Sequence, residues 1–430
     1  MYLYERIFED LRRSIDEGEI GPGEKVPSIR EVAELYGCNK LTAHRAFDLL
    51  ARSGRIENRV GSGSYVRLPE PLGEGGGEAR GASRADFSSA LLSENFFPFE
   101  EAGGILASLL AKEKGRVFSA PHPRGEDRFI EAFASRYALP ADSILVTGGG
   151  QQGLDLVKRL FSERGEAQAL VEEPTYPGAL TLFRPQSSVA FGLEGPDPSE
   201  IAAFFGALGP GPRFFYTVPQ LHNPTGLRHS LERKKEISRL AAFLDFIIVE
   251  DDYLSELLPE REPRYVDLVP EHTIWIKSLS KTTAPGLRIG ALAAPPAFLQ
   301  RLSRLKAESD PGPSSWLQLF AAGLLESGLY DRHVGRVRRI AEERRADLVD
   351  LLTAWPGLKP VSAGAGYNLW VESTEQPPTR APAWAEGWRF GRGGGTRRSF
   401  RLSTMGMSEE EWPGALEALA ASLGEAFPSR

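Results

Sequence analysis

The sequence predicts a multidomain α/β protein: a small helical module closed by a β-hairpin, a tether, and a large body on a mostly parallel sheet with a small C-terminal α/β subdomain. Three observations carry that reading. Leu3, Ile7, Leu11 and Ile15 recur every four residues, which gives one apolar helix face. Residues 68–86, LPEPLGEGGGEARGASRAD, hold too few apolar side chains to fold and read as a flexible linker. Beyond them, apolar runs at 144–147, 169–171, 214–218 and 246–249 lack polar alternation and are separated by helix-length segments. Strands buried on both faces have that pattern. The domains expected are therefore 1–67, the tether 68–86, and 87–430.

Composition narrows the function. A chain of 430 residues, 41% hydrophobic and 25% charged, is that of an ordinary globular protein with a sizeable core. The start, MYLYERIFEDLRR, has no signal-peptide core, and no run approaches about 18 apolar residues. A cytoplasmic location without a membrane partner is expected. The single cysteine, Cys38, excludes an internal disulfide. A net charge of −7 argues against a surface coated with basic residues, yet residues 39–67 hold six basic side chains against two acidic ones. Phosphate attraction is local and screened, so a short basic face suits a dedicated DNA-contacting module.

In the first module, Ser28 followed by Glu31 is a capping box that opens a helix over 28–36. Gly37 and Cys38 turn the chain, and Asn39 caps a third helix. Its apolar positions are taken as Leu41, Ala46, Phe47 and Leu50, leaving Lys40, Thr42, His44 and Arg45 outward. That is a helix-turn-helix with a polar recognition helix. Residues 55–60 alternate, Gly61-Ser62-Gly63 turns, and Ser64-Tyr65-Val66 returns, forming a wing.

The segments LYERI, GEKVPSIREVAELYG and RIENRVGSGSYV closely resemble the winged helix-turn-helix of the GntR family of bacterial transcription regulators. The resemblance implies DNA contacts from Arg30, Lys40, Thr42 and Arg45, with Asn39 at the helix start. It also sets Arg59, Gly61 and Ser62 near the backbone or minor groove.

In the body, every chemically interesting segment follows an apolar run, where ligands of parallel sheets gather. Gly148-Gly149-Gly150-Gln151 opens a helix, and glycines there let backbone amides meet a phosphate. Tyr176 can cover a heterocycle, and Asn223 precedes a proline turn. Asp251 lies just past its apolar run, where a buried carboxylate can keep a pyridine nitrogen protonated. Adjacent acids at 250–252 also suit a metal, but no Walker-type loop accompanies them and no metal is expected. Ser278-Leu279-Ser280-Lys281 leads through Pro285-Gly286 to Arg288. A partly desolvated lysine there suits pyridoxal phosphate held as a Schiff base.

Taken in order, GGGQQGLDLV, EEPTYPGAL, HNPTG, VEDDY, SLSKTTAPGLRIG and FRLS look like a fold-type I aminotransferase. The resemblance implies that Lys281 carries the cofactor, Asp251 pairs with its ring nitrogen, Asn223 and Tyr253 hold its phenolic oxygen, and Tyr176 stacks on the ring. Gln151, Ser278, Arg288 and the Gly149 and Gly150 amides would bind phosphate, and Arg401 would clamp an amino-acid carboxylate. One departure is that the family often has Ser or Thr within the phosphate glycine run, where this chain has Gly149 and Gly150.

A winged helix-turn-helix tethered to such a body resembles the MocR subfamily of GntR regulators. The implied protein is a transcription regulator that binds pyridoxal phosphate, senses it or an amino-acid-like effector, and reads a double-stranded operator as a head-to-tail homodimer. A working aminotransferase with an appended DNA-binding domain is the alternative.

Overall fold

The structure is a computed structural model of the chain. It describes residues 2–16, 20, 24–53, 55–59, 62–66, 85–163, 165–310, 312–361, 365–375, 377, 383–391, 396 and 398–427, without the side chains of Asp16, Arg52 and Arg59. Two compact units result, Met1–Gly76 and Gly77–Arg430. The expected tether lies outside the described residues apart from Ala85 and Asp86.

The first unit has helices α1 (Leu3–Asp16), α2 (Ile29–Leu35) and α3 (Lys40–Arg52), then strands β1 (Ile56–Arg59) and β2 (Gly63–Val66). The capping box is formed, with Glu31 N–H donating to Ser28 Oγ at 3.2 Å and Ser28 N–H to Glu31 Oε2 at 2.6 Å. Asn39 Oδ1 accepts from Thr42 N–H at 2.8 Å and so starts α3. Ile7, Leu11, Val32, Ala43, Ala46, Phe47, Leu50, Ile56 and Val66 close a core of their own. Leu41 was expected inside and is not: it is 67% exposed. Ala43, Ala46, Phe47 and Leu50 form the buried stripe, and Leu41, two residues before Ala43, is turned about 200° from that stripe's first member.

The second unit is organised by an eight-stranded sheet, β3 (Ile144–Thr147), β4 (Gln168–Glu173), β5 (Gln186–Gly192), β6 (Gly195–Pro196), β7 (Arg213–Thr217), β8 (Ile247–Asp252), β9 (Thr273–Ser278) and β10 (Gly290–Ala293). Its order is β3-β10-β9-β8-β7-β4-β5-β6. Strands β9, β8, β7, β4 and β5 run parallel, while β10 is antiparallel to both β9 and β3. Side chains alternate across the pleat, and both faces are apolar. Val171, Phe214, Tyr216 and Val249 enter the main core, and Leu170, Phe215 and Ile248 pack with Ile201, Phe205, Ile237 and Ala241 of the helices Pro198–Gly206 and Leu231–Leu244.

One strand end differs from expectation. The acids after the run at 246–249 lie inside β8, which continues to Asp252. Register explains this: Asp252 sits opposite Lys277 of β9, and Lys277 Nζ reaches Asp252 Oδ1 at 2.8 Å, so the strand extends without an unpaired buried charge at Asp252.

The C-terminal subdomain has a four-stranded sheet of β11 (Leu358–Val361), β12 (Asn368–Ser373), β13 (Ala385–Glu386) and β14 (Ser399–Ser403), ordered β11-β12-β14-β13. Ser408 and Glu411 exchange bonds of 2.8 and 3.2 Å before the last helix, Trp412–Ala426, which buries Leu419 and Leu423.

Candidate functional site

The glycine segment turns from β3 into the helix Gly150–Ser162. Gly149 has φ +98°, a value side chains rarely adopt. A Cβ built on Gly149 would lie 3.5 Å from the Arg288 guanidinium, and one on Gly150 would lie 3.6 Å from Ser278 Cβ. The helix N-terminus, Ser278 and Arg288 therefore converge on one anion-binding cradle. The Gly148 amide is capped by Gln152 Oε1 at 2.7 Å, and Gln152 Nε2 donates to Asp310 Oδ2 at 2.9 Å. Gln151 accepts from the Tyr176 hydroxyl at 3.2 Å.

Lys281 and Arg288 share the loop between β9 and β10, whose base is closed by the pairing of Ser278 with Gly290. Burial, with the charges of Arg401 and Arg288 nearby, pulls the Lys281 ammonium down to about 7. Its carbonyl accepts from the Tyr367 hydroxyl at 2.9 Å. Next to it, Ser280 Oγ is buried with no hydrogen-bond partner among the described residues.

Asp251 accepts from the Tyr216 hydroxyl at 2.8 Å. Burial pushes the Asp251 carboxyl up to about 6, against the pull of that hydrogen bond and of Lys277. Tyr176 is close enough to feel Asp251, Arg288 and Arg401, and burial pushes its phenol up to about 12. The Tyr253 hydroxyl donates to Leu221 O at 2.7 Å and accepts from Asn368 Nδ2 at 2.9 Å, so its bonds are already engaged. Asn223 Oδ1 accepts from Arg401 Nη1 at 2.8 Å, which leaves the Asn223 amide nitrogen as the donor to the site. Arg401 is buried, lies 5.0 Å from the Phe390 ring centroid, and keeps its Nε without a partner among the described residues.

Behind this wall, Glu172 accepts from Thr217 Oγ1 at 2.6 Å and Val218 N–H at 2.9 Å and lies 2.7 Å from His229 Nε2. Burial opposes its ionisation, but His222 and His229 prevail and hold its carboxyl down at about 2. This knot fixes the end of β7 and the turn that carries Asn223.

An aldehyde-bearing, phosphorylated pyridine fits these donors. The cradle suits its phosphate, Lys281 its aldehyde, Asp251 its ring nitrogen and Asn223 its phenolic oxygen. Ser280 Oγ and Arg401 Nε beside them are buried polar atoms without a partner among the described residues, as is common at binding sites. Sequence reasoning missed Tyr216, Asn368 and Gln152. Asn368 opens an apolar run, the one sequence signal on offer, whereas Tyr216 meets Asp251 only through the pairing of β7 with β8.

In the first unit, Arg30, Asn39, Lys40 and Arg45 are exposed and Thr42 is half-buried. His44 pairs with Asp48 at 3.2 Å. Ser62 lies at the hairpin tip, 2.6 Å from the Tyr65 hydroxyl. Gly61 and the Arg59 side chain lie outside the described residues. Among the described residues no helix is long and apolar enough to cross a membrane.

Fold and site thus define a chain with a helix-turn-helix head of the DNA-binding type and an aminotransferase-like body. The family of bacterial regulatory proteins called gntR matches residues 3–66, and the aminotransferase class I and II family matches residues 90–419. The HTH-type transcriptional regulator YisV of Bacillus subtilis is 29% identical over 406 residues, 86% of this chain and 84% of YisV. The probable rhizopine catabolism regulatory protein MocR of Rhizobium meliloti is 25% identical, over 81% of this chain and 77% of its own. Among solved structures, LysN, an α-aminoadipate aminotransferase of Thermus thermophilus complexed with N-(5'-phosphopyridoxyl)-L-leucine, is 26% identical. It superposes with a TM-score of 0.71 over 80% of this chain and 92% of that one. The chain belongs to the MocR type of GntR regulators, which join a GntR head to an aminotransferase class I and II body.

Proposed function

We propose that this regulator binds pyridoxal phosphate in its body and senses the cofactor, or an amino-acid-like effector bound with it, to alter how its head reads an operator. The observation that carries the reading is the clustering of Lys281, Asn223, Ser278, Arg288 and Arg401, with Asp251 joined to them through Tyr176, which feels Asp251, Arg288 and Arg401 alike. When bound, pyridoxal phosphate supplies a carbonyl that condenses with amines and a ring that withdraws electrons. Lys281 offers a lysine amine of which about half is neutral near pH 7. Asp251 holds a negative charge for the ring nitrogen, and Asn223 donates to the phenolic oxygen. Tyr253 holds the same phenolic oxygen by turning towards it the hydroxyl proton that otherwise meets the Leu221 carbonyl. Tyr176 covers the ring, with its hydroxyl tied to Gln151. Ser278, Arg288 and the Gly149 and Gly150 amides, with Gln151 beside them, hold the phosphate.

Arg401 clamps the effector's carboxylate, for which a planar fork suits better than a point charge. In the head, Arg30, Lys40, Thr42 and Arg45 contact the operator with Asn39 at the start of α3, while Arg59, Gly61 and Ser62 approach the backbone or minor groove. Residues 1–67 are the DNA-binding domain, 68–86 the tether and 87–430 the sensing body, working in the cytoplasm as a head-to-tail homodimer. A ligand shifts DNA affinity only by binding one arrangement of the protein better than the other.

Titrating DNA affinity with pyridoxal phosphate, with and without an amino-acid panel, tests this reading. Affinity that ignores both overturns it. The likeness to LysN favours transamination as the second reading, and sustained multiple turnovers with an amino acid and a keto acid would establish it.

A further inference from the structure

Arg401 is bonded both to the site and to the first described stretch of chain after the tether. Its Nη1 donates to Asn223 Oδ1, and its Nη2 donates to the backbone carbonyl of Ser88. That stretch is laid along β14, the strand of Arg401. Phe87 is fully buried, its N–H donates to Ala383 O at 2.7 Å, and its carbonyl accepts from Ser403 N–H at 2.8 Å. Asp86 Oδ1 takes both the Ser88 N–H at 2.8 Å and the Ser88 hydroxyl at 2.5 Å, forming a turn. Ser93 N–H then closes onto Met405 O at 2.7 Å. Residues 86–93 thus hang on β14 and its continuation, and in the middle the side-chain anchor is the Arg401 guanidinium.

We propose that a carboxylate bound at Arg401 tightens residues 86–93 and so transmits effector binding to the tether. A guanidinium has five N–H donors in a rigid fork. Asn223 and Ser88 occupy one each, and the buried Nε has no partner among the described residues. A carboxylate accepting from the remaining Nη hydrogens neutralises the buried charge and fixes the plane of the fork. The bond to the Ser88 carbonyl then persists. A ligand that fills the ring and phosphate positions without a carboxylate does not engage the fork and leaves 86–93 as it was. The coupling runs both ways: pulling residues 86–93 away from β14 loosens Arg401 and weakens carboxylate binding. The inference rests on the reading of Arg401 given above.

The experiment is hydrogen exchange, followed by mass spectrometry, on the full chain saturated with one of two ligands. N-(5'-phosphopyridoxyl)-L-leucine carries an α-carboxylate, and pyridoxamine 5'-phosphate has the same ring and phosphate without one. Peptides spanning 86–93 are expected to exchange about 5-fold slower or more with the first than with the second, the lower end of ordinary coupling. Arg401→Gln is expected to abolish the difference. Equal exchange of 86–93 with both ligands bound to the wild-type chain overturns the coupling and leaves the cofactor reading intact. Failure of both ligands to bind overturns the cofactor reading, and the coupling with it.

Discussion

The Tyr216 hydroxyl donates a 2.8 Å hydrogen bond to Asp251 Oδ2, from β7 to the neighbouring parallel strand β8. The bond favours the ionised carboxyl and leaves the other oxygen for a ligand. Asp252, Lys277, Tyr176 and Tyr253 complete the charged and titratable groups that act on Asp251. Tyr216→Phe removes a donor to a charged group, worth about 1.5–3 kcal/mol, and raises the Asp251 carboxyl above its present value of about 6. A ring nitrogen pairs with the ionised form, so affinity for pyridoxamine phosphate is expected to rise with pH through that value. In the variant the rise moves to higher pH and affinity at pH 7 falls roughly 2- to 15-fold. Fluorescence titrations between pH 5 and 8 follow both effects, and superimposable curves would refute the assignment.

Lys281 gives a second pH dependence. Its ammonium is held at about 7, so the neutral amine is the minor form at pH 6 and dominant at pH 8. The rate at which added pyridoxal phosphate forms a borohydride-bleachable chromophore is expected to increase across that interval. Lys281→Ala is expected to form none while keeping its circular dichroism. A mutant with the same bleachable chromophore would show that another amine carries the cofactor.

Glu172 ties β4 to the Asn223 turn, and its carboxyl is held down at about 2. A depressed carboxyl stabilises the fold above its ordinary pKa, near 4.5, and that contribution drains away as pH falls from there towards 2. Glu172→Gln, which removes the charge that these buried donors are bonded to, is expected to cost about 1.5–3 kcal/mol at pH 7 and to flatten the acid limb of stability. Urea unfolding at pH 7 and pH 4 measures both; an unchanged midpoint would discount the knot.

In the head, Arg45 is exposed on α3 and Asn39 secures the start of that helix. Arg45→Ala is expected to weaken binding to a duplex selected from a random library by about 1–3 kcal/mol, with cofactor loading unchanged. Gel-shift titration beside a cofactor absorbance reading checks it, and unaltered DNA affinity would count against the recognition-helix assignment.

Much of the fold was legible because local chemistry and tertiary structure agree. The Ser28–Glu31 box, the Asn39 cap and the apolar run at 144–147 needed only neighbours in sequence. Legibility ended where partners come from afar. Leu41 looked like a core residue until Ala43 claimed the inner face of α3. The acids at 250–252 read as lying beyond a strand because Lys277, the counter-ion of Asp252, stands on another strand. Tyr216 and Asn368 belong to the site only through bonds to residues 35 and 115 positions away, which no spacing rule reports.

The loop from Ser278 to Gly290 carries both Lys281 and Arg288 and is pinned at its base by the β9–β10 ladder. With the roles proposed for Lys281 and Arg288, its length is a ruler between the covalent anchor and the anion clamp, independent of the eight strands that support it. One inserted residue would leave the scaffold standing and the DNA-reading head attached, yet put aldehyde and phosphate out of simultaneous reach: a regulator that folds and has lost its signal.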